Sequence, residues 1–291
     1  MKTLGRYIVV VNPISGNLDK TELKEQIQSF SVKSNIDVFI YETLGKDDKN
    51  EIYKIYQEVK PERVIVAGGD GTLKMVVEAL ENENVIYGII PAGSANGFAT
   101  DLNIPSLIDE ILKIAFYNDF SEIDIVEING MKSLHLSDIG LNALLIKNYE
   151  NSETRGKLGY LQQVIPTFQE ADDVFKAFIK TEDIQIECEA KMIVVANSQK
   201  YGTGIVINPN GLLNDGKFEI VILKSLDIFT IAQIISGNIP VSNKDIQIIS
   251  TQSARISLEK PISFQIDGEY CGKVNVLDIK AHKAKIKIAT P

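Results

Sequence analysis

The chain has 291 residues, with 30 lysines and arginines against 39 aspartates and glutamates and a formal net charge of −9. That balance carries no basic footprint for DNA or RNA and argues against broad adhesion to anionic membranes, while leaving room for a local basic patch. No apolar stretch approaches the ~18 residues of a membrane span, and two cysteines with two histidines argue against a structural zinc site.

The opening MKTLGRYIVVVNP runs from a short apolar segment straight into a turn, so no leader peptide is expected. Cys188 and Cys271 lie far apart and nothing asks for a disulfide, which favours a cytoplasmic protein.

In chain order, Tyr7–Val11, Asp37–Tyr41, Arg63–Ala67 and Val85–Ile90 read as short buried strands. Polar segments of helical period separate them. In 19–30, Leu23 and Ile27 stand four apart; in 47–59, Ile52, Ile55, Tyr56 and Val59 share a face. This alternation predicts an α/β domain with a parallel sheet, whose ligands bind in the loops beyond the carboxyl ends of the strands.

After about Ser121 the rhythm becomes period two: EIDIVEING, LHLSDIG, IQIECEAKMIVVAN, KFEIVIL, ISFQIDGEY and VNVLDIKAHKAKIKIA. Short strands with Gly, Asn and Pro punctuation predict an antiparallel β-sandwich, with helical interruptions near 155–180 and 226–236. The expected division is an N-terminal parallel-sheet α/β domain over 1–121 and a C-terminal antiparallel sandwich over 122–291.

Gly68-Gly69-Asp70-Gly71-Thr72, between the third strand and an apolar helix-compatible run, admits two readings. One is a tight turn followed by a Thr72 cap. The other is a loop stripped of side chains so that phosphate can reach backbone N–H groups at a helix start, with Asp70 beside Mg²⁺. Asn214-Asp215-Gly216 and Asp267-Gly268 are likewise ordinary hairpin signals as well as candidate sites. Alternation of Ile262, Phe264 and Ile266 inward places Ser263, Gln265 and Asp267 on the opposite, accessible face.

The combination resembles the diacylglycerol kinase and sphingosine kinase-like lipid kinases. GGDGT is shared by that family with NAD kinases and phosphofructokinases. VVVNPISGN resembles the lipid kinases' opening strand and loop, and IIPAGSANGFATDLNIP resembles their third loop, matching at Gly93, Ser94, Asn96, Phe98 and Ala99. RGKLGYL at 155–161, NPNGLLNDGKFEIVIL at 208–223 and FQIDGEY at 264–270 continue the resemblance over nearly the whole chain. It also accounts for the absence of a Gly-x-x-x-x-Gly-Lys-Ser/Thr motif.

The resemblance implies an ATP- and Mg²⁺-dependent lipid kinase that draws its substrate transiently from a membrane surface; a homodimer is a possible assembly. Asn12, Pro13, Ser15, Gly16, Gly68, Gly69, Asp70, Gly71, Thr72, Gly93, Ser94 and Asn96 would bind ATP, with Thr43 added by its position after the second strand. Asp267 or Glu269 would accept the proton from the lipid hydroxyl. Asp215 and the backbone carbonyls of Leu212 and Lys217 would form a structural Mg²⁺ site, and Asp70, Asp215 and Glu269 would organise Mg²⁺ and its waters. Exposed apolar residues around Tyr160–Phe168 are one candidate for membrane contact, although such spacing is more often core.

Two departures qualify the match. Lys74-Met75 stands where the family commonly has Asn-Glu, with Glu78 one turn further on as the available stand-in. Gly97 stands where bacterial diacylglycerol kinases commonly carry Asp. The shared GGDGT loop and a similar two-domain plan make an NAD kinase one rival reading, and Lys74-Met75 makes a catalytically silent nucleotide- or lipid-binding regulator the other.

Overall fold

The structure, a computed structural model, describes residues 5–16, 18–94, 96–143, 146, 174–200, 206–225 and 245–291. It divides into two compact units, Met1–Ile123 with Ile286–Pro291, and Asp124–Lys285.

In the first unit, strands β1 (Arg6–Val11), β2 (Asp37–Glu42), β3 (Arg63–Gly68) and β4 (Ile86–Pro91) alternate with helices α1 (Lys20–Ser34), α2 (Asp48–Val59) and α3 (Asp70–Ala79). A short α4 (Gly97–Asp101) and α5 (Ile108–Tyr117) follow. The strands are parallel in the order β2-β1-β3-β4. β1 and β3 are near-continuous apolar runs because both faces are covered. On one face, Val9, Val11, Ile65 and Ile90 pack with Leu23 and Ile27 of α1 and Leu112 and Phe116 of α5. α2 and α3 lie against each other and against β1 and β3, burying Ile52, Leu73, Val76 and Val77. Asp19 starts α1 by accepting from the N–H groups of Thr21 and Glu22, and Asn35 ends it in the left-handed conformation.

The second unit is an antiparallel β-sandwich. It contains most of β5 (Phe120–Ile128), then β6 (Met131–Ser133), β7 (Leu136–Gly140), β8 (Phe175–Thr181), β9 (Gln185–Ala190), β10 (Met192–Ala196), β11 (Phe218–Leu223), β12 (Ile246–Thr251), β13 (Ser253–Ile266) and all but the end of β14 (Glu269–Ala289). β12, β11, β10, β7 and the end of β13 form one run of paired strands. The first half of β13 instead pairs with β8, and β8 with β9. Register shifts after Ser257 and Ser263 let one strand serve both runs. Between them lies a core that includes Ile193, Val195, Phe218, Ile220, Ile179, Ile256, Phe264 and Leu277.

Three expectations need correction. The second domain does not run from 122 to 291: residues 286–291 return to the first unit, where Lys287 and Ile288 of β14 pair in parallel with Ile86 and Tyr87 of β4. The segment read as helical over 155–180 ends in strand, because FKAFIKT alternates strictly between buried and exposed positions. Its remainder, the helix expected at 226–236, the RGKLGYL segment and Tyr160–Phe168 lie outside the described residues. Finally, the face of β13 opposite Phe264 is not open: Ser263 and Gln265 are buried, Gln265 against Asp138 of β7.

Candidate functional site

Within the first unit, β1, β3 and β4 are parallel, so the loops that follow them, at 12–16, 68–70 and 92–96, emerge on one edge of the sheet. The order β2-β1-β3-β4 puts the reversal of strand order between β1 and β3, the place where open α/β sheets bind ligands. The loops meet backbone to backbone. Gly16 has φ +56°, and a Cβ there would stand 2.7 Å from the carbonyl oxygens of both Ala92 and Gly93. A Cβ on Gly93 would stand 2.4 Å from the Cα of Gly69. Both distances lie below any real contact, so glycine is required for the loops to meet.

Side chains fix this contact. Asn12 Nδ2 donates to Thr72 Oγ1 (3.1 Å), and Asn12 Oδ1 accepts from Ile14 N–H (3.2 Å). Ser15 Oγ lies 3.0 Å from the carbonyl oxygens of Asn12 and Ala92. Asn96, at φ +54°, accepts from Gly93 N–H through Oδ1 (2.8 Å) and donates back to Gly93 O through Nδ2 (3.0 Å). α3 begins at Gly69 with no side-chain cap, which leaves its N-terminal donors for a ligand or water.

Asp70 and Thr72 take parts the sequence did not suggest. Both oxygens of Asp70 accept backbone N–H groups, Oδ2 from Gly97 (2.8 Å) and Oδ1 from Phe98 (3.1 Å), so the second loop's acid caps α4 behind the third loop. Thr72 is not the cap of α3. It is buried inside the helix as the acceptor for Asn12. Pro13 and Ser94 are exposed on the loops, Gly68 ends β3, and Gly71 is in the first turn of α3. Thr43 is buried after β2, its N–H bonded to Val11 O (2.9 Å), one strand away from Asn12. The loop beside it is shaped by Asp48, which accepts from Tyr41 Oη, Leu44 N–H and Gly45 N–H. Burial, with Asp48 beside it, pushes the Tyr41 phenol up to about 12.

In the second unit, the hairpin turn between β13 and β14 is clamped at two points. Asp267, at φ +51°, accepts from Ser133 Oγ and His135 N–H through Oδ1 (2.9 Å each) and from Leu134 N–H through Oδ2 (3.0 Å). Gly268 N–H donates to Gln265 Oε1 (2.8 Å), and the other end of Gln265 donates to the buried Asp138, which also accepts from Asn142 (2.6 Å). Asp267 is thus half-buried and engaged, whereas Glu269, two residues on, is exposed.

The loop at 212–217 carries the candidate metal ligands. Lys217 N–H donates to Asp215 Oδ1 (2.9 Å), and Leu212 is exposed. Among the described residues no group of three or more His, Cys, Asp and Glu could hold a metal. A cation here would therefore draw on the Asp215 carboxylate, carbonyls and water, a hard oxygen set that suits Mg²⁺.

Sequence reasoning missed Asp124, which fixes this loop from behind. It is fully buried, accepts from Gly216 N–H (2.6 Å) and Ala284 N–H (2.7 Å), and donates its own N–H to Leu213 O (2.7 Å). Asn197 supports it by donating to Asp124 O (3.0 Å). Lys20 was missed as well; it sits buried beneath the first loop.

Comparison with known proteins follows the same two-part plan. Residues 6–128 match the diacylglycerol kinase catalytic domain, and residues 138–288 match the YegS C-terminal NAD kinase beta sandwich-like domain. The lipid kinase YegS of Escherichia coli strain K12 is 30% identical over 217 residues, covering 71% of each chain. A protein named probable lipid kinase YegS, from Escherichia fergusonii, is 29% identical over 280 residues, covering 92% of this chain and 91% of its own. The crystal structure of a diacylglycerol kinase from Bacillus anthracis str. Sterne superposes with a TM-score of 0.75 at 20% identity, covering 100% of this chain and 98% of that one, a likeness of fold. With both domain types present in order, the chain belongs to the lipid kinase family that joins a diacylglycerol kinase catalytic domain to a YegS-type C-terminal domain, phosphotransferases that act on an alcohol group.

Proposed function

We propose that this protein transfers the γ-phosphoryl group of ATP to a hydroxyl of a membrane lipid, diacylglycerol or a sphingoid-type lipid, which it meets transiently at the membrane surface. The observation that carries the nucleotide half is the glycine-to-glycine meeting of the three loops at the strand reversal, beside the uncapped start of α3. Phosphoryl transfer asks for a cradle of backbone donors and little covalent chemistry from the protein.

On this reading Asn12, Ser15, Gly16, Gly69, Gly93 and Asn96 shape the cradle, and Asp70 keeps the third loop in place. Glu269 is the proton acceptor. Three donors engage Asp267, which makes it the anchor of the turn, and Glu269, two residues on, is the more exposed carboxylate of the motif. Asp215 with the carbonyls of Leu212 and Lys217 would hold Mg²⁺, whose chemistry there is to neutralise charge and order the loop. Among the described residues no helix is long and apolar enough to cross a membrane, which is compatible with peripheral access to lipid.

The test is incubation with γ-³²P-labelled ATP and a total lipid extract, followed by chromatography. A labelled phospholipid-type product supports the proposal and its mobility identifies the lipid. Label in NADP when NAD is added, with none in lipid, would favour the NAD kinase reading. ATP binding without transfer to diacylglycerol, ceramide, sphingosine or phosphatidylglycerol would favour the regulator.

A further inference from the structure

Lys20 is the first residue of α1, a position where lysine usually faces water, yet only 8% of it is exposed. Its ammonium makes hydrogen bonds to three backbone carbonyls: Ser15 O at 2.6 Å, Leu18 O at 3.2 Å and Ala92 O at 3.2 Å. An ammonium has three protons, and each has an acceptor. Two of these carbonyls belong to the first loop and its exit, and the third opens the loop after β4. Ala92 O is also within reach of Ser15 Oγ, and it is one of the oxygens that a side chain at Gly16 would strike.

We propose that Lys20 is a positioning residue for the nucleotide site, stapling the first loop to the third and placing a buried positive charge behind both. This rests on the reading of those loops as the phosphate cradle. Among the described residues no carboxylate is hydrogen-bonded to the ammonium; Asp19, exposed and engaged in capping α1, is the acid beside it. A buried cation held only by carbonyl dipoles is costly when nothing compensates it. The phosphates of a nucleotide on the other side of the same loops supply that compensation, so binding energy is coupled to the staple. Lys20 acts through Ser15 and Ala92 and does not touch the ligand, because its protons are already committed. In this it differs from the lysine of a Gly-x-x-x-x-Gly-Lys loop, which reaches the phosphates directly.

The geometry also separates the chemistry of Lys20 from that of a simple packing residue. Methionine fills a similar volume and keeps the apolar stem, but removes the charge and all three donors. Arginine keeps the charge and can donate to two carbonyls at once.

The experiment compares wild type, Lys20→Met and Lys20→Arg by two readouts. The first is ATP affinity and the KM values for ATP and for diacylglycerol in vesicles. The second is amide hydrogen exchange of residues 12–16 and 92–97 in the free protein. The expected result is a tenfold or greater loss of ATP affinity in Lys20→Met, with KM for the lipid unchanged. Faster exchange should appear in both loops together, and Lys20→Arg should recover most of both effects. Unchanged ATP affinity, or faster exchange confined to the first loop, overturns the staple. If wild type binds no ATP, the functional reading fails; joint acceleration of the two loops in Lys20→Met then still supports the staple, and its absence overturns it.

Discussion

Gly93 and Gly69 face each other with no room for a side chain: a Cβ on Gly93 would sit 2.4 Å from the Cα of Gly69. The contact joins the loop after β4 to the start of α3. It turns two glycines of separate motifs into one requirement, that two backbones approach more closely than any other residue allows.

Replacing Gly93 with alanine therefore forces these loops apart. Overpacking of this kind costs ~1–3 kcal/mol. Thermal unfolding of Gly93→Ala should fall accordingly, and its KM for ATP should rise at least several-fold with the KM for lipid little changed. Thermal denaturation and two-substrate kinetics check both halves.

Asp70 caps α4 through Gly97 and Phe98, so Asp70→Ala should lose about 0.5–2 kcal/mol of stability, the usual cost of losing such a cap. It should also lose kinase activity, because the third loop is released. Asp70→Ala that folds and keeps full activity would remove Asp70 from the site. If activity depends on Asp70 chiefly through Mg²⁺, raising Mg²⁺ should restore part of it in Asp70→Asn, a result the capping role alone does not produce.

The 212–217 loop should report its own cation. A ligand that binds only the folded state stabilises it by RT ln(1 + [L]/Kd), about 2.7 kcal/mol at a hundredfold excess over Kd. Titrating Mg²⁺ into chelator-treated protein should raise the unfolding temperature of wild type and leave Asp215→Ala unmoved. Asp124→Asn should behave like Asp215→Ala, since Asp124 holds Gly216 and Ala284 and so shapes the loop.

Burial lowers the Lys20 ammonium below the ordinary lysine value of 10.5, with Asp19 offsetting part of the effect. The charged form is the one that donates to all three carbonyls. As pH rises, Lys20 should lose its proton before surface lysines do, and ATP affinity should weaken on the alkaline side at a pH below 10.5. The linked stability has the opposite sense: the unfolded chain holds this proton more tightly, so this group's contribution to stability increases with pH across the same window. ATP titrations from pH 7.5 upward check the first claim; Lys20→Met should lack that alkaline limb.

Much of this was legible in the sequence because the relevant signals are local. The four parallel strands are continuous apolar runs, and the three loops after β1, β3 and β4 carry glycine or asparagine where a side chain would obstruct. What escaped depends on residues distant in the chain. Asp124 is one acid in a period-two segment, and its partners Gly216 and Ala284 lie 92 and 160 residues away. Lys20 reads as a solvated residue at a helix start until Ala92, 72 residues later, covers it. Alternation along ISFQID correctly separated two faces but could not say that Asp138 would cover the polar one. In FKAFIKT the strand period was present, and two phenylalanines and an isoleucine within seven residues obscured it as a continuation of the preceding segment.

The two carboxylates of the β13–β14 turn give the most direct test. Asp267→Asn leaves three donors facing an amide that cannot accept from all of them, so it should unfold more readily, by ~1–3 kcal/mol. Glu269→Gln changes an exposed side chain and should alter stability by no more than ~0.5 kcal/mol. The decisive measurement is the kcat for phosphoryl transfer to lipid in Glu269→Gln, with ATP affinity and thermal stability determined on the same preparation. The account predicts a fall of about a hundredfold or more in kcat, with ATP binding and melting temperature retained. A Glu269→Gln protein that transfers phosphate to lipid at the wild-type rate would contradict it.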